Sequence, residues 1–99
     1  MYVIRDVMNC KPGKVGELVK KFAALNPVMI RLGYKPARIM TDVSGEPFWT
    51  AVFELEAPTL DAFRDMEDKV MADKEAQSAF SGYHELVVSG RREIFKLES

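Results

Sequence analysis

The fold is decided by residues 42–56, whose sequence is DVSGEPFWTAVFELE. The first part contains the turn-forming cluster Ser44–Pro47, and the second part alternates in the way that a β-strand does. One face of this strand is wholly apolar: Trp49, Ala51, Phe53 and Leu55. The other face is mixed: Phe48, Thr50, Val52, Glu54 and Glu56. We therefore expect an antiparallel hairpin whose apolar face, Trp49 included, packs into the core.

Before the hairpin, the spacing of apolar residues predicts a helix. Five apolar side chains recur at intervals of three and four and would form one stripe: Val15, Leu18, Val19, Phe22 and Leu25. The pair Asn26-Pro27 predicts that a further short helical segment begins there, since asparagine caps helices and proline favours their first position. Gly33 would end that segment in a left-handed conformation.

After the hairpin, Thr59 is expected to cap a second helix. Its apolar stripe would contain Leu60, Phe63, Met66, Val70 and Met71. Asp73 is expected to cap a shorter segment that ends at Gly82.

Extended stretches complete the pattern: Tyr2–Asn9, Tyr34–Val43, Phe48–Glu56 and part of Glu85–Leu97. The order is β-α-β-β-α-β, which right-handed crossovers fold into a four-stranded antiparallel sheet with both helical regions on one face. We therefore predict an α+β fold, the ferredoxin-like plait, as a single domain over residues 1–99. The other sheet face would keep Phe48 and Val52 uncovered, which predicts an interface or a ligand site there.

Composition excludes several classes of function. The 14 basic and 15 acidic side chains give a net charge of −1, without the basic excess that nucleic-acid binding requires. The single cysteine, Cys10, forms no internal disulfide and fits a reducing compartment. No apolar run is long enough to span a membrane, and Arg5 and Asp6 interrupt any signal-peptide core. We expect a cytoplasmic protein without nucleic-acid or membrane partners, without a metal site and without a cofactor.

Several short motifs, in this order, resemble the NIPSNAP-like proteins within the dimeric α+β barrels: Tyr2–Arg5 leading into Lys11–Lys14, Asp42–Gly45 with Phe48-Trp49, the helix opening after Phe53-Glu54, Met71–Lys74 before Ala79-Phe80, and Gly90–Phe95. The resemblance spans nearly the whole chain. It implies a homodimer in which two sheets face each other and the helices lie outside, so that the partner covers the bare face. It implies no settled reaction.

Related monooxygenases of the antibiotic-biosynthesis type often carry a histidine about ten residues after the third strand. The corresponding position in this sequence lies near Phe63, and this departure argues against that chemistry.

His84 is the only histidine and the candidate general base, because histidine side chains change charge near neutral pH. Tyr83 beside it would supply a hydroxyl, and Arg5 or Arg91 would hold an anionic substrate. The alternative is a surface or capping histidine without a catalytic role.

Arg5 interrupts an otherwise apolar strand, and a charge in such a strand requires a partner. We expect it inside the barrel near Glu54 or Glu93, either as a structural ion pair or as an anion-binding group. Arg91 and Arg92, with Arg38 nearby, could likewise bind an anion or simply protect an edge strand from aggregation.

Three functions stay open at this point. The first is a homodimer that holds a small, partly apolar molecule between sheet and helices, with cofactor-independent monooxygenase or proton-transfer activity. The second is a non-catalytic small-molecule-binding or regulatory module, and the third is a purely structural dimer. A pocket where His84 and a buried charge converge favours the first, a ligand site at the subunit boundary without a titratable group the second, and a filled barrel without a cavity the third.

Overall fold

Four antiparallel strands form one sheet in the computed structural model, which describes residues 1–99. The strands are β1 (Tyr2–Cys10), β2 (Arg38–Thr41), β3 (Thr50–Ala57) and β4 (Val87–Lys96), in the spatial order β2-β3-β1-β4. The helices are α1 (Val15–Arg31), α2 (Leu60–Ala72) and α3 (Lys74–Ala79), and a single 3₁₀ turn, Tyr83–Glu85, precedes β4. The predicted ferredoxin-like plait is confirmed.

The core lies between the helices and one face of the sheet. On β3 this face carries the buried residues Ala51, Phe53 and Leu55. The Phe53 ring lies 5.0 Å from that of Phe22 on α1, and the Phe22 ring lies 5.5 Å from that of Phe80. The alternation of β3 therefore directs its apolar residues as the sequence predicts.

Trp49 lies outside this core, and its expected packing there is wrong. Its backbone φ is +67°, and its side chain is 40% exposed. A positive φ turns the chain out of the extended conformation, so the alternation of β3 begins only at Thr50. Phe48 lies in the preceding loop and is 82% exposed, so it is not part of the sheet face either.

The first helix is continuous across Pro27, and the predicted restart at Asn26 is wrong. Proline removes only one intrahelical hydrogen bond, while the buried Val28 and Met29 keep the next turn packed on the core. Asn26 does not cap a helix. Its side chain accepts a hydrogen bond from the Ala37 N–H at 2.9 Å and donates to the Ala37 carbonyl at 3.2 Å.

The second helix begins and ends as expected, but its apolar stripe is shorter than predicted. The Thr59 hydroxyl accepts from the Ala62 N–H, and the Asp73 carboxylate accepts from the Ala76 N–H. Leu60 and Met71 are exposed rather than buried, because they lie at the two ends of α2 and only its middle reaches the sheet. None of the helices has the length and apolar character that a membrane crossing requires.

Replacing Phe53 with alanine is expected to lower the free energy of unfolding by about 3–5 kcal/mol, because it leaves a cavity beside Phe22. Urea denaturation measures this loss. The matched control is Phe48→Ala, which removes the same group from an exposed loop and is expected to change stability by less than about 0.5 kcal/mol. A loss below about 1 kcal/mol for Phe53→Ala would contradict the assignment of the core.

Candidate functional site

A row of four charged side chains crosses the sheet face that the helices leave open. Cross-strand register aligns them in the order Arg38, Glu54, Arg5 and Glu93, one from each strand. The guanidinium of Arg5 donates to Glu54 Oε1 at 2.5 Å, and Arg38 Nε donates to Glu54 Oε2 at 2.7 Å. Arg5 also lies 4.0 Å from Glu93, so its predicted place beside Glu54 or Glu93 is confirmed.

Glu54 is the centre of this row. Its side chain is only 6% exposed, and both of its carboxylate oxygens accept from a guanidinium group. The hydrogen bond from Arg5, with those from Arg38, holds the pKa of Glu54 below its usual range, although burial acts in the opposite direction. The row therefore carries two positive and two negative charges that balance each other.

One end of the open face is covered by the chain itself. In the loop between β2 and β3, Glu46 pairs with Arg91 at 3.1 Å, and the Pro47 carbonyl accepts from the Thr50 hydroxyl at 2.6 Å. This loop explains why Thr50 and Val7 are buried although their register places them on the open face. At the other end, Phe95 is half exposed. The open face is thus less apolar than the sequence alone predicts.

Tyr83 and His84 lie away from Arg5 and Glu54. The two rings pack with centroids 3.9 Å apart, and His84 is exposed. They line an open groove of about 480 Å³ together with Asp6 and Arg92, on the helical side of the sheet.

Arg92 in this groove is already saturated with acidic partners. It donates to both carboxylate oxygens of Asp6, at 2.7 and 3.1 Å, and to Glu67 at 2.7 Å. Hydrogen bonds to Asp6 and Glu67 raise the pKa of Arg92 above its usual range. Arg91 directs its side chain to Glu93 and Glu46 instead. The candidate site residues therefore form two groups on opposite faces of the sheet.

A cavity lies between the sheet and the helices, where a small molecule is expected from the sequence, but most of its lining residues were not among the predicted site residues. Its volume is about 620 Å³, and it is bounded by β3, α2, the end of α1 and the chain before β2. Its apolar wall consists of Met29, Leu55, Ala57, Ala62, Phe63 and Met66. Its polar rim consists of Tyr34, Lys35, Arg38, Glu54 and Glu56.

The cavity lies where no strand runs beside the end of β3, because β2 is shorter than predicted. The expected strand Tyr34–Val43 is reduced to Arg38–Thr41, which pairs with β3 only as far as Glu54. Tyr34 instead donates its N–H back to the Met29 carbonyl at the end of α1. Proline has no N–H for a sheet, so Pro36 was the one signal in the sequence that could have revealed the shorter strand.

No cluster of three or more histidine, cysteine, aspartate or glutamate side chains has the geometry to hold a metal ion. Cys10 is buried, and burial raises the pKa of its thiol, which disfavours the reactive thiolate.

No family model and no curated protein matches this sequence, whereas solved structures do. An uncharacterised NIPSNAP domain protein from Burkholderia xenovorans superposes with a TM-score of 0.79 at 18% identity, over 100% of this chain and 96% of that one. The chain has the fold of the NIPSNAP proteins.

Two further structures define the range of that likeness. A NIPSNAP family protein of unknown function from Agrobacterium tumefaciens gives a TM-score of 0.79 at 18% identity, over 98% of this chain and 87% of that one. A point mutant of MhuD, with two manganese protoporphyrin IX molecules bound per active site, gives 0.73 at 17% identity, over 100% and 96%. At such identities the NIPSNAP fold is shared, and a reaction does not follow.

Replacing Glu54 with glutamine is expected to lower the free energy of unfolding by about 1–2 kcal/mol at pH 7, because the two guanidinium groups lose their shared charge. Both arginines are partly exposed, and hydration limits the loss. The pKa of Glu54 is lower in the folded state, so its contribution is complete above the ordinary glutamate range and disappears as the pH falls through the folded value.

The difference between wild type and Glu54→Gln is therefore expected to shrink in urea denaturation series taken below about pH 4.3. Glu98→Gln, at the exposed end of the chain, is the matched control and is expected to leave stability unchanged. A difference that stays constant from pH 7 to pH 3 would mean that the charge of Glu54 contributes nothing.

Proposed function

We propose that this protein is a homodimer that binds a small, partly apolar acid in the cavity between sheet and helices. The observation that carries the proposal is the cavity itself, which joins an apolar wall to a polar rim in one space of about 620 Å³. Ligand sites in proteins have this composition and size. A purely structural dimer has no need of such a space, because protein interiors are otherwise closely packed.

The charges at the rim favour an acidic ligand. Arg38 is committed to Glu54 and Glu56, but Lys35 is exposed and pairs with no carboxylate. A carboxylate of a bound molecule would complete that pairing while its apolar part lies against Phe63 and Met66. The porphyrin bound by MhuD supports the idea that this fold accommodates sizeable, partly apolar acids.

The second copy is proposed to lie on the open sheet face. The ordered charges of the row from Arg38 to Glu93 sum to zero, so a partner would not have to neutralise them. Val3 and Phe95 flank the row at the end that the loop leaves uncovered, and Phe95 is half exposed. A partner sheet would remove this apolar surface from water.

Acid–base catalysis of the monooxygenase or proton-transfer class is a second candidate, favoured by one observation. His84 lines the same groove as Asp6 and Arg92, so a proton-accepting ring lies beside fixed charges. Against it, the groove is open and Arg92 is occupied by acidic partners. The proposed binding function therefore places the ligand in the cavity. Because His84 lines only the groove, its signals can distinguish binding in the groove from binding in the cavity.

Filling the cavity is expected to abolish ligand binding. Ala62→Trp places an indole from α2 into the cavity, whereas Ala72→Trp places the same group on the exposed end of the same helix. Isothermal titration calorimetry with decanoic acid is expected to show at least a tenfold loss of affinity for Ala62→Trp and an unchanged affinity for Ala72→Trp.

His84, the only histidine, reports whether the ligand binds in the groove instead of the cavity. The ring signals of His84 in the nuclear magnetic resonance spectrum are expected to stay constant during the titration, because no residue lines both the cavity and the groove. Signals that move with decanoic acid, together with full affinity in Ala62→Trp, would place binding in the groove and overturn the proposed site.

The proposed assembly predicts a sedimentation mass of twice 11.2 kDa at micromolar concentration. Phe95→Arg, at the exposed end of the open face, is expected to shift the protein towards monomer, because each copy would then have to bury an unpaired charge in the interface. Ile94→Arg, on the neighbouring residue that faces the other way, is the matched control. A wild type that sediments as a clean monomer would refute the dimer.

A further inference from the structure

The last residues of β3 lack a partner on one side, and this gap forms one wall of the cavity. β3 pairs with β1 along its whole length, from Thr50 to Ala57, without a bulge. On its other side it pairs with β2 only over residues 51–54. Residues 55–57 therefore present an unpaired strand edge to the cavity that they line.

The alternation of the strand shows which peptide groups face that gap. The Thr50 carbonyl accepts from the Asp42 N–H, and the Thr50 N–H donates to the Asp42 carboxylate, so Thr50 faces the β2 side. The other end of that peptide group, the Trp49 carbonyl, accepts from the Cys10 N–H on the β1 side. Successive residues of a strand alternate between its two neighbours, which directs both the N–H and the carbonyl of Glu56 into the gap.

Pro36 prevents the chain from closing this gap itself. Continuing the register from Arg38 opposite Glu54 would set Pro36 opposite Glu56. Proline has no N–H, so it has nothing to donate to the Glu56 carbonyl. None of the backbone hydrogen bonds outside the helices and strands involves either residue. One donor and one acceptor, spaced as in a β-ladder, are therefore left free at the cavity wall.

We propose that the ligand is an N-acylated α-amino acid, bound as one added residue beside Glu56. This inference rests on the proposed function and names the class of ligand. The ligand's amide N–H donates to the Glu56 carbonyl, and its carboxylate accepts from the Glu56 N–H, as in an antiparallel bridge. A simple fatty acid would satisfy only the second of these bonds.

The rest of the cavity fits the other parts of such a molecule. Lys35 lies at the same rim and is available to pair with the carboxylate. The acyl chain occupies the apolar wall around Leu55 and Phe63. An acylated nitrogen is neutral, so it enters this wall without the loss of hydration that a free ammonium group would suffer.

Two ligands that differ by one methyl group test the proposal by calorimetry. N-decanoylglycine carries the amide N–H, and N-decanoylsarcosine carries N-methyl in its place. Wild-type protein is expected to bind the sarcosine compound roughly tenfold more weakly, because the Glu56 carbonyl then loses its donor. Equal affinity for the two compounds would overturn the proposal, while decanoic acid binding that Ala62→Trp removes would leave the proposed function standing.

A protein variant tests whether the Glu56 carbonyl causes the preference for N-decanoylglycine over N-decanoylsarcosine. Pro36→Ala supplies an N–H opposite the Glu56 carbonyl, so the chain itself can satisfy that acceptor. The preference for N-decanoylglycine is expected to fall from roughly tenfold to within about twofold. Pro12→Ala, in the exposed turn before α1, is the matched control and keeps the full preference.

Two further results would overturn the assignment to Glu56 or the proposed function. A Pro36→Ala protein that folds, by its circular dichroism, and still prefers N-decanoylglycine tenfold would exclude Glu56 as the contact. Failure of wild type to bind decanoic acid or either acylated compound would overturn the proposed function together with this inference.

Discussion

The carboxylate of Glu54 lies nearly buried between the guanidinium groups of Arg5 and Arg38, and the sheet is organised around this contact. It joins β2, β3 and β1 through their side chains at the middle of the open face. A carboxylate with so little exposure requires both partners, because an unpaired buried charge costs several kcal/mol. The register of three strands is therefore fixed by charge on this face, as it is by apolar packing on the other.

The same contact marks the place where β2 begins. Arg38 is the first residue of that strand, and Asn26 holds the chain just before it by two hydrogen bonds to Ala37. Pro36 and the turn back to α1 keep the preceding residues away from β3. The chain before β2 is therefore held at Tyr34 by α1 and at Ala37 by Asn26. Between these points it does not pair with β3, which leaves the cavity open.

The two sheet faces differ in the surfaces that they present. The open face carries a balanced row of charges and a half-exposed Phe95, which suits contact with another sheet. The helical face encloses the cavity near β3 and leaves an open groove near β4. His84 belongs to the groove and Glu54 to the row and the cavity rim, so one ligand in the cavity does not reach the histidine. This separation favours binding over acid–base chemistry.

The sequence alone determined the order of elements, the apolar face of β3 at Phe53 and the caps at Thr59 and Asp73, because these depend on local spacing and on side chains a few residues apart. It also predicted Arg5 beside Glu54 or Glu93, since a charge inside an apolar strand requires a partner. Three features emerge only from the folded chain: Trp49 leaves the strand, α1 continues through Pro27 and β2 starts at Arg38. Those outcomes depend on packing and hydrogen bonds between distant segments, which outweigh local preference. The cavity likewise depends on contacts between distant segments, because β3, α2 and the end of α1 together form its wall.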